Sequence, residues 1–322
     1  MEYPIILAEL YGMPITMYAV FVVVSLVCAI LCLYLIRKRY GVKSDSILKL
    51  SVIAIPIGMV LSRGIYVLCR FEHYSAMNFE PVLHLWEGGY MLWGALFGVL
   101  IAAMIVSRQD RVPLLTLTDL LSAPTALAIA IGRAAEFTDG QGKGAVLSDD
   151  SLFRFFPVAF ITDRWGDETE WSLSVFVFEC AAALILFVIL MNAKRGTGQN
   201  TALFVILYCS SQIYFEQLRC DSFPRWLFVR ISQLICVVVL FIFVLYRLVQ
   251  CHKQIKGKDR EFKKKACLLI PFLLAAGICI VCEFALDGKL PFISYTAAYI
   301  AMAAACICFA FTSYGICIKN NE

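Results

Sequence analysis

The sequence predicts an all-α integral membrane protein, a polytopic helix bundle of about nine transmembrane spans. Three observations predict it. The 322 residues are 61% hydrophobic and only 16% charged, where a soluble chain is roughly 45–50% apolar and about 25% charged. The mean hydropathy is +0.79. The apolar residues fall in runs of span length, and a chain of this size has no soluble interior in which to hide them. Disorder is excluded and a soluble enzyme is disfavoured. The formal net charge of +4 is small, and in a membrane protein its placement matters more than its sum.

The elements follow in order. Met1 to Met13 has no basic start, so no cleaved signal peptide is expected. The first apolar run, Ile15 to Ile36, is closed by Arg37, Lys38 and Arg39, as expected of a span whose basic end lies inside. Further runs cover 47–68, 90–106, 113–132, 172–191, 201–218, 227–249, 266–286 and 291–317, the fourth and sixth of the nine being interrupted by polar residues. With the N-terminus outside and the C-terminus cytoplasmic, the inward segments are 37–49, 107–112, 192–200, 247–265 and the tail after 318. They hold 18 of the 28 Lys and Arg residues, eight of them between Arg247 and Lys265. The positive-inside rule supports that orientation. Ten basic residues are left on the outer side, Arg63, Arg133 and Arg219 among them.

The longest outer segment, about 134–170, is polar and Gly-rich. It is expected to be irregular, and either functional or mobile. The division expected is a core over 1–250, a basic linker over 251–265 that either binds anionic lipid or only fixes topology, and a two-span extension over 266–322.

Most of the fourteen cysteines sit inside apolar runs and read as small hydrophobes. Cys279 and Cys282 form a C-x-x-C, but with no partner pair and no nearby His, so zinc is not expected there. No nucleotide-binding Gly loop, G-x-S-x-G or H-E-x-x-H occurs. No metal, cofactor or nucleic acid is expected. His73 and His84 read as surface-loop residues.

Polar residues in apolar company each need a reason, because a charge in mid-span costs at least about 2.5–3.5 kcal/mol. Arg63 reads equally as a snorkelling interfacial residue or as part of a site. Arg133 and Glu136 stand at i, i+3 and are able to pair on one helical face. That pair is either an interfacial salt bridge or a place where Arg forks onto lipid phosphate. Tyr208, Gln212, Glu216 and Arg219, spaced four, four and three, are expected on one helix face. They form either an interhelical hydrogen-bond seam or the wall of a polar cavity. Gly94 and Gly98 make a G-x-x-x-G suited to close helix packing. That packing does not account for Glu87. Glu179, alone in its run, must find a partner across the bundle or be protonated.

These positions align with a known pattern. Gly132-Arg133-Ala134-Ala135-Glu136-Phe137-Thr138-Asp139-Gly140-Gln141-Gly142-Lys143-Gly144 resembles the signature G-R-x-G-N-F-x-N-G-E-x-x-G of the prolipoprotein diacylglyceryl transferase family. Ser62-Arg63-Gly64-Ile65-Tyr66-Val67-Leu68 resembles its G-A-R-L-G-Y-V-L, and Trp86-Glu87-Gly88-Gly89 its W-E-G-G. Ile15-Thr16-Met17-Tyr18 is similar to its I-R-W-Y. Tyr208 to Asp221 resembles its Y-G-x-x-R-x-x-x-E-x-x-R-x-x-D, and Ser232-Gln233 its G-Q. The resemblance covers about residues 10–250. It departs at chemistry: Trp93 stands where the family has His, Glu136 where it has Asn, Gln212 where it has Arg and Gln141 where it has an acid.

The resemblance implies a bacterial inner-membrane enzyme that moves diacylglyceryl from phosphatidylglycerol to the lipobox cysteine of a prolipoprotein signal peptide. Glycerol phosphate leaves and a thioether forms. It implies Glu216, Glu136 and Tyr18 as catalytic positions, with Glu216 or Glu136 as base. It implies Arg133, Arg63, Arg219, Tyr208, Gly140 and Gly144 as substrate-binding positions, Arg133 first for the phosphate. Phosphatidylglycerol, the signal peptide and membrane lipid are the expected partners. The alternative is an inactive relative that binds phospholipid or signal peptide without transfer. A small-molecule transporter is the third reading, although neither an inverted repeat nor paired broken helices are evident.

Overall fold

The computed structural model describes residues 4–10, 13–163, 169–193, 197–221, 225–226, 229–254 and 259–317. Eleven helices carry these residues: α1 (Met17–Ile36), α2 (Ser44–Cys69), α3 (Phe71–Ala76), α4 (Leu92–Asp110), α5 (Leu114–Ala135), α6 (Val175–Asn192), α7 (Gln199–Leu218), α8 (Ile231–Gln254), α9 (Asp259–Cys267), α10 (Leu269–Leu286) and α11 (Tyr295–Cys317). Seven short strands accompany them: β1 (Ile6–Leu10), β2 (Met13–Thr16), β3 (Lys143–Val146), β4 (Ala159–Asp163), β5 (Thr169–Ser174), β6 (Arg225–Trp226) and β7 (Val229–Arg230). The protein is an all-α multi-pass membrane protein. Among the described residues, eight helices are long and apolar enough to span a bilayer: α1, α2, α4, α5, α6, α8, α10 and α11.

The sixth expected span, 201–218, is helical as α7 but is not among those eight. Gln199, Asn200, Ser210, Gln212 and Glu216 interrupt its apolar character, and all five are buried. The interrupted fourth run forms one continuous helix, α5, through its internal Pro124. Neighbouring helices, side chains and local helix adjustments re-satisfy backbone groups around a membrane proline.

The chain divides into two compact units. The first comprises Met1–Gly198 with Arg219–Pro224. Its apolar core joins α1, α2, α4 and α5 through Leu33, Ile47, Leu50, Ala102, Val106, Leu117 and Leu120. The backbones of α2 and α4 meet at glycines: a Cβ on Gly98 would overlap Gly58 Cα, and one on Gly94 would overlap Ser62 Cα. This is the close packing that small-x-x-x-small spacing permits. The far ends of the pair are tied by Asp110, which accepts from Ser46 Oγ at 2.5 Å and from Lys49 Nζ at 2.6 Å.

Outside the helices, β1 and β2 pair antiparallel, and the chain beside them docks on the end of α5, with Ile5 N donating to Thr138 O at 3.1 Å. The segment 134–170, expected to be irregular, forms among its described residues a 3-10 turn over Glu136–Asp139, β3, β4 and the start of β5. It contributes to a three-stranded antiparallel sheet in the order β3-β5-β4, with Ala159 opposite Leu173 and Asp163 opposite Thr169. Trp165-Gly166-Asp167, within that segment, lies outside the described residues.

The second unit comprises Gln199–Leu218 and Arg225–Glu322. Cys236, Leu240, Val244 and Leu248 bury one stripe of α8. Phe272 of α10 meets Phe309 of α11 at 4.9 Å and Phe241 of α8 at 6.3 Å. Gln233 of α8 donates to Ile213 O of α7 at 3.2 Å and to Glu283 Oε1 of α10 at 2.5 Å. Arg247 Nε and Lys265 Nζ donate to Cys317 O and Ile316 O. They cap α11 where its unpaired carbonyls favour cations.

Candidate functional site

The signature segment is a turn between α5 and the sheet. After Ala135 the chain makes one 3-10 turn over Glu136–Asp139. Gly140 ends it in the left-handed conformation, its N–H donating to Glu136 O and Phe137 O. Gly142, at φ 72°, turns the chain again into β3. A Cβ on Gly142 would stand 2.6 Å from both Glu136 Oε2 and Phe176 Cβ, so only glycine fits there. Phe137 fixes the turn by its ring, packed 5.9 Å from Phe176 and 6.1 Å from Phe160.

Around this turn five charged side chains gather. Arg133 Nη1 meets Glu136 Oε1 at 2.6 Å and Glu179 Oε2 at 3.4 Å. Arg219 Nη1 meets Glu179 Oε2 at 2.7 Å and Glu136 Oε2 at 3.0 Å, and its Nη2 meets Asp221 Oδ2 at 2.7 Å. The Arg219 side chain has no exposed surface. Burial alone would lower its pKa, but the Glu136 and Glu179 carboxylates outweigh that and hold it above its ordinary value. Asp221 also accepts from Gly142 N at 2.7 Å and Lys143 N at 3.0 Å, while Cys220 N donates to Lys143 O at 2.7 Å. The glycine turn is thereby bolted to the residue pair that carries Arg219. Tyr18, on the first turn of α1, is within electrostatic reach of Glu136, Arg133, Asp139 and Arg219.

Several expectations change here. Arg133 and Glu136 pair as their spacing allowed. Glu179 has its partners across the bundle, on chain segments far from it in sequence. Arg219, expected to continue the α7 stripe, does not: the helix stops at Leu218 and Arg219 belongs to the first unit. Tyr208, Gln212 and Glu216 keep the stripe in the second unit, with Gln212 Nε2 donating to Glu216 Oε1 at 3.2 Å and Tyr208 stacked on Phe204 at 5.5 Å.

Arg63 does not snorkel. It is 5% exposed, and its guanidinium donates to the carbonyls of Val82 (3.3 Å), Pro81 (2.7 Å), Gly89 (3.2 Å), His84 (3.4 Å) and Gly88. Five N–H groups meet five backbone acceptors. The clamp holds the W-E-G-G loop, where His84 stacks on Trp86 at 5.0 Å. The Glu87 side chain lies outside the described residues. Trp93 is buried on the first turn of α4, 5.9 Å from Phe97. Gly144 is in β3. Glu179 and Asp221 are the site residues that sequence reasoning did not select. A lone acid in mid-span was the available signal for the first, and the closing acid of the Tyr208-to-Asp221 motif was the signal for the second.

Fold and site together define a class: a multi-pass helical membrane protein with an internal arginine–carboxylate cluster on a glycine turn. The chain belongs to the prolipoprotein diacylglyceryl transferase family, whose sequence model matches residues 5–249. It is similar to proteins named phosphatidylglycerol--prolipoprotein diacylglyceryl transferase. That of Oceanobacillus iheyensis is 27% identical over 231 residues, 68% of this chain and 80% of the relative. That of Clostridioides difficile is 26% identical over 219 residues, 66% of this chain and 82% of the relative. That of Listeria innocua is 25% identical over 249 residues, 76% of this chain and 89% of the relative.

Proposed function

We propose that this protein transfers the diacylglyceryl group of phosphatidylglycerol to the cysteine thiol of a prolipoprotein. The observation that carries the reading is Arg133 and Arg219 converging on the family's signature turn inside a membrane protein. The thiol loses its proton, since the thiolate is the nucleophile. Sulfur bonds to the glyceryl carbon, the carbon–oxygen bond to phosphate breaks, and glycerol phosphate departs. Developing charge on that phosphate calls for fixed cations, and Arg133 and Arg219 are assigned to it. Arg63 is assigned to holding the W-E-G-G loop, because its donors are spent on carbonyls. Gly140 and Gly144 shape the turn, and Tyr18 and Tyr208 complete the set of binding and catalytic positions. Glu136 is committed to two guanidiniums, whereas Glu216 is held by one neutral amide. Glu216 is therefore the assigned proton acceptor.

The finer substrate is the lipobox cysteine of a signal peptide. The protein is placed in the bacterial inner membrane with its N-terminus outside and C-terminus cytoplasmic. The 1–250 core carries the chemistry, 251–265 is a basic linker, and 266–322 is an added two-span extension. Residues 255–258 of that linker and the tail from 318 lie outside the described residues. The test is purified protein with phosphatidylglycerol and a lipobox peptide. Mass spectrometry is expected to find a thioether-linked diacylglyceryl peptide and glycerol phosphate. Lipid bound without any product would overturn transfer and leave a binding protein.

A further inference from the structure

Two guanidiniums, Arg133 and Arg219, face three carboxylates, Glu136, Glu179 and Asp221, at separations of 2.6–3.4 Å. The cluster as built has more negative than positive formal charge. A phosphodiester entering it brings a further negative charge into a place shielded from water, where like charges repel strongly. It has no uncommitted pair of cations to meet.

Glu136 bridges both arginines: its Oε1 accepts from Arg133 Nη1 at 2.6 Å and from Arg219 Nη1 at 3.3 Å, and its Oε2 stands 3.0 Å from Arg219 Nη1. Glu179 Oε2 reaches the same two nitrogens at 3.4 and 2.7 Å. An anionic group set between two guanidiniums is the place a phosphate would take. The neighbours of Glu136 cannot give way as easily. Asp221 is locked by two backbone N–H groups besides Arg219. Glu179 projects from within α6 and its side chain is 2% exposed. Glu136 opens a single 3-10 turn between α5 and Gly140, and its Oε2 lies against Gly142, which has no side chain of its own.

We infer that Glu136 is a built-in counter-anion that occupies the place of the lipid phosphate between Arg133 and Arg219, and so limits how strongly the site takes an anionic headgroup. The inference rests on the assignment of those arginines to phosphate. Binding of phosphatidylglycerol then requires Glu136 to swing off both guanidiniums. Replacing its charge balances the cluster, with two cations against two anions, and frees the position that Glu136 holds for the ligand.

The test measures lipid bound to the full chain in detergent by native mass spectrometry, titrating phosphatidylglycerol and, separately, diacylglycerol with the same acyl chains. Glu136→Gln keeps the side-chain shape and removes the charge. It is expected to bind phosphatidylglycerol about tenfold more tightly than the parent, with diacylglycerol, which has no phosphate, unchanged. Glu136→Asp keeps the charge but is one methylene too short to bridge both arginines. It is expected to show a smaller gain, about two- to threefold, and it decides the matter if Glu136→Gln does not fold. Arg133→Gln is run alongside. If Arg133→Gln weakens phosphatidylglycerol binding while the Glu136 variants show no gain, the counter-anion role is wrong and the phosphate site stands. If none of the variants changes binding, the phosphate site itself is wrong and the inference falls with it.

Discussion

Arg219 has no exposed side-chain surface and touches Glu136, Glu179 and Asp221. A group in that position holds structure and function together. Removing one partner of a buried ionic cluster leaves uncompensated charge and costs about 3–5 kcal/mol. Arg219→Met is therefore expected to lower stability by that amount and to abolish transfer; thermal unfolding in detergent and the thioether assay check the two effects. A variant that unfolds at the parent temperature would show that the carboxylates find other partners. At this scale the sequence exposed the charges but not their pairing. Glu179 in mid-span demanded a partner, yet Arg219 lies 40 residues away, and no local spacing connects them. Arg63 was harder still, because its partners are backbone carbonyls, which leave no trace in residue identity.

Among the elements, the α2–α4 pair shows how a few glycines set a contact. Gly98 lies against Gly58 so closely that even a methyl group does not fit. Gly98→Leu is expected to cost about 1–3 kcal/mol by overpacking. Gly277→Leu, where an added Cβ meets nothing within 4 Å, is expected to be neutral or slightly favourable. Comparing the unfolding temperatures of the two variants tests the contact, and equal temperatures would refute it. The G-x-x-x-G spacing made this packing legible in advance. The α7 stripe was less legible: its period pointed to one face through Arg219, but the helix ends a residue earlier. The β3-β5-β4 sheet was hidden because its strands are short and mixed with polar residues, so neither alternation nor apolar runs announced it.

For the whole molecule, charge placement predicts orientation. Basic residues concentrate in 37–49, 107–112, 192–200 and 247–265, which the positive-inside rule assigns to the cytoplasm. A green fluorescent protein fused after Glu322 is expected to fluoresce, and alkaline phosphatase at the same point to be inactive. The reverse pattern would invert the topology. Length and hydropathy made the solvent and the helical class legible, since lipid leaves the backbone few alternatives to the helix. The units into which the helices group were not legible. Glu283 of α10, beyond the family match, bonds Gln233 within it, a contact that requires the folded bundle.

By itself the sequence determined the membrane class, nearly every span, the family and the identity of the charged residues that need explaining. These are local properties: apolar run length, residue type and short-range spacing each act within a few turns of chain. Only the tertiary structure decided which charges share a site, that Glu136 bridges two arginines, and that Arg63 spends its donors on a loop. Those outcomes depend on distances between segments remote in sequence, where desolvation forces each buried charge onto whatever partner the packing brings within reach.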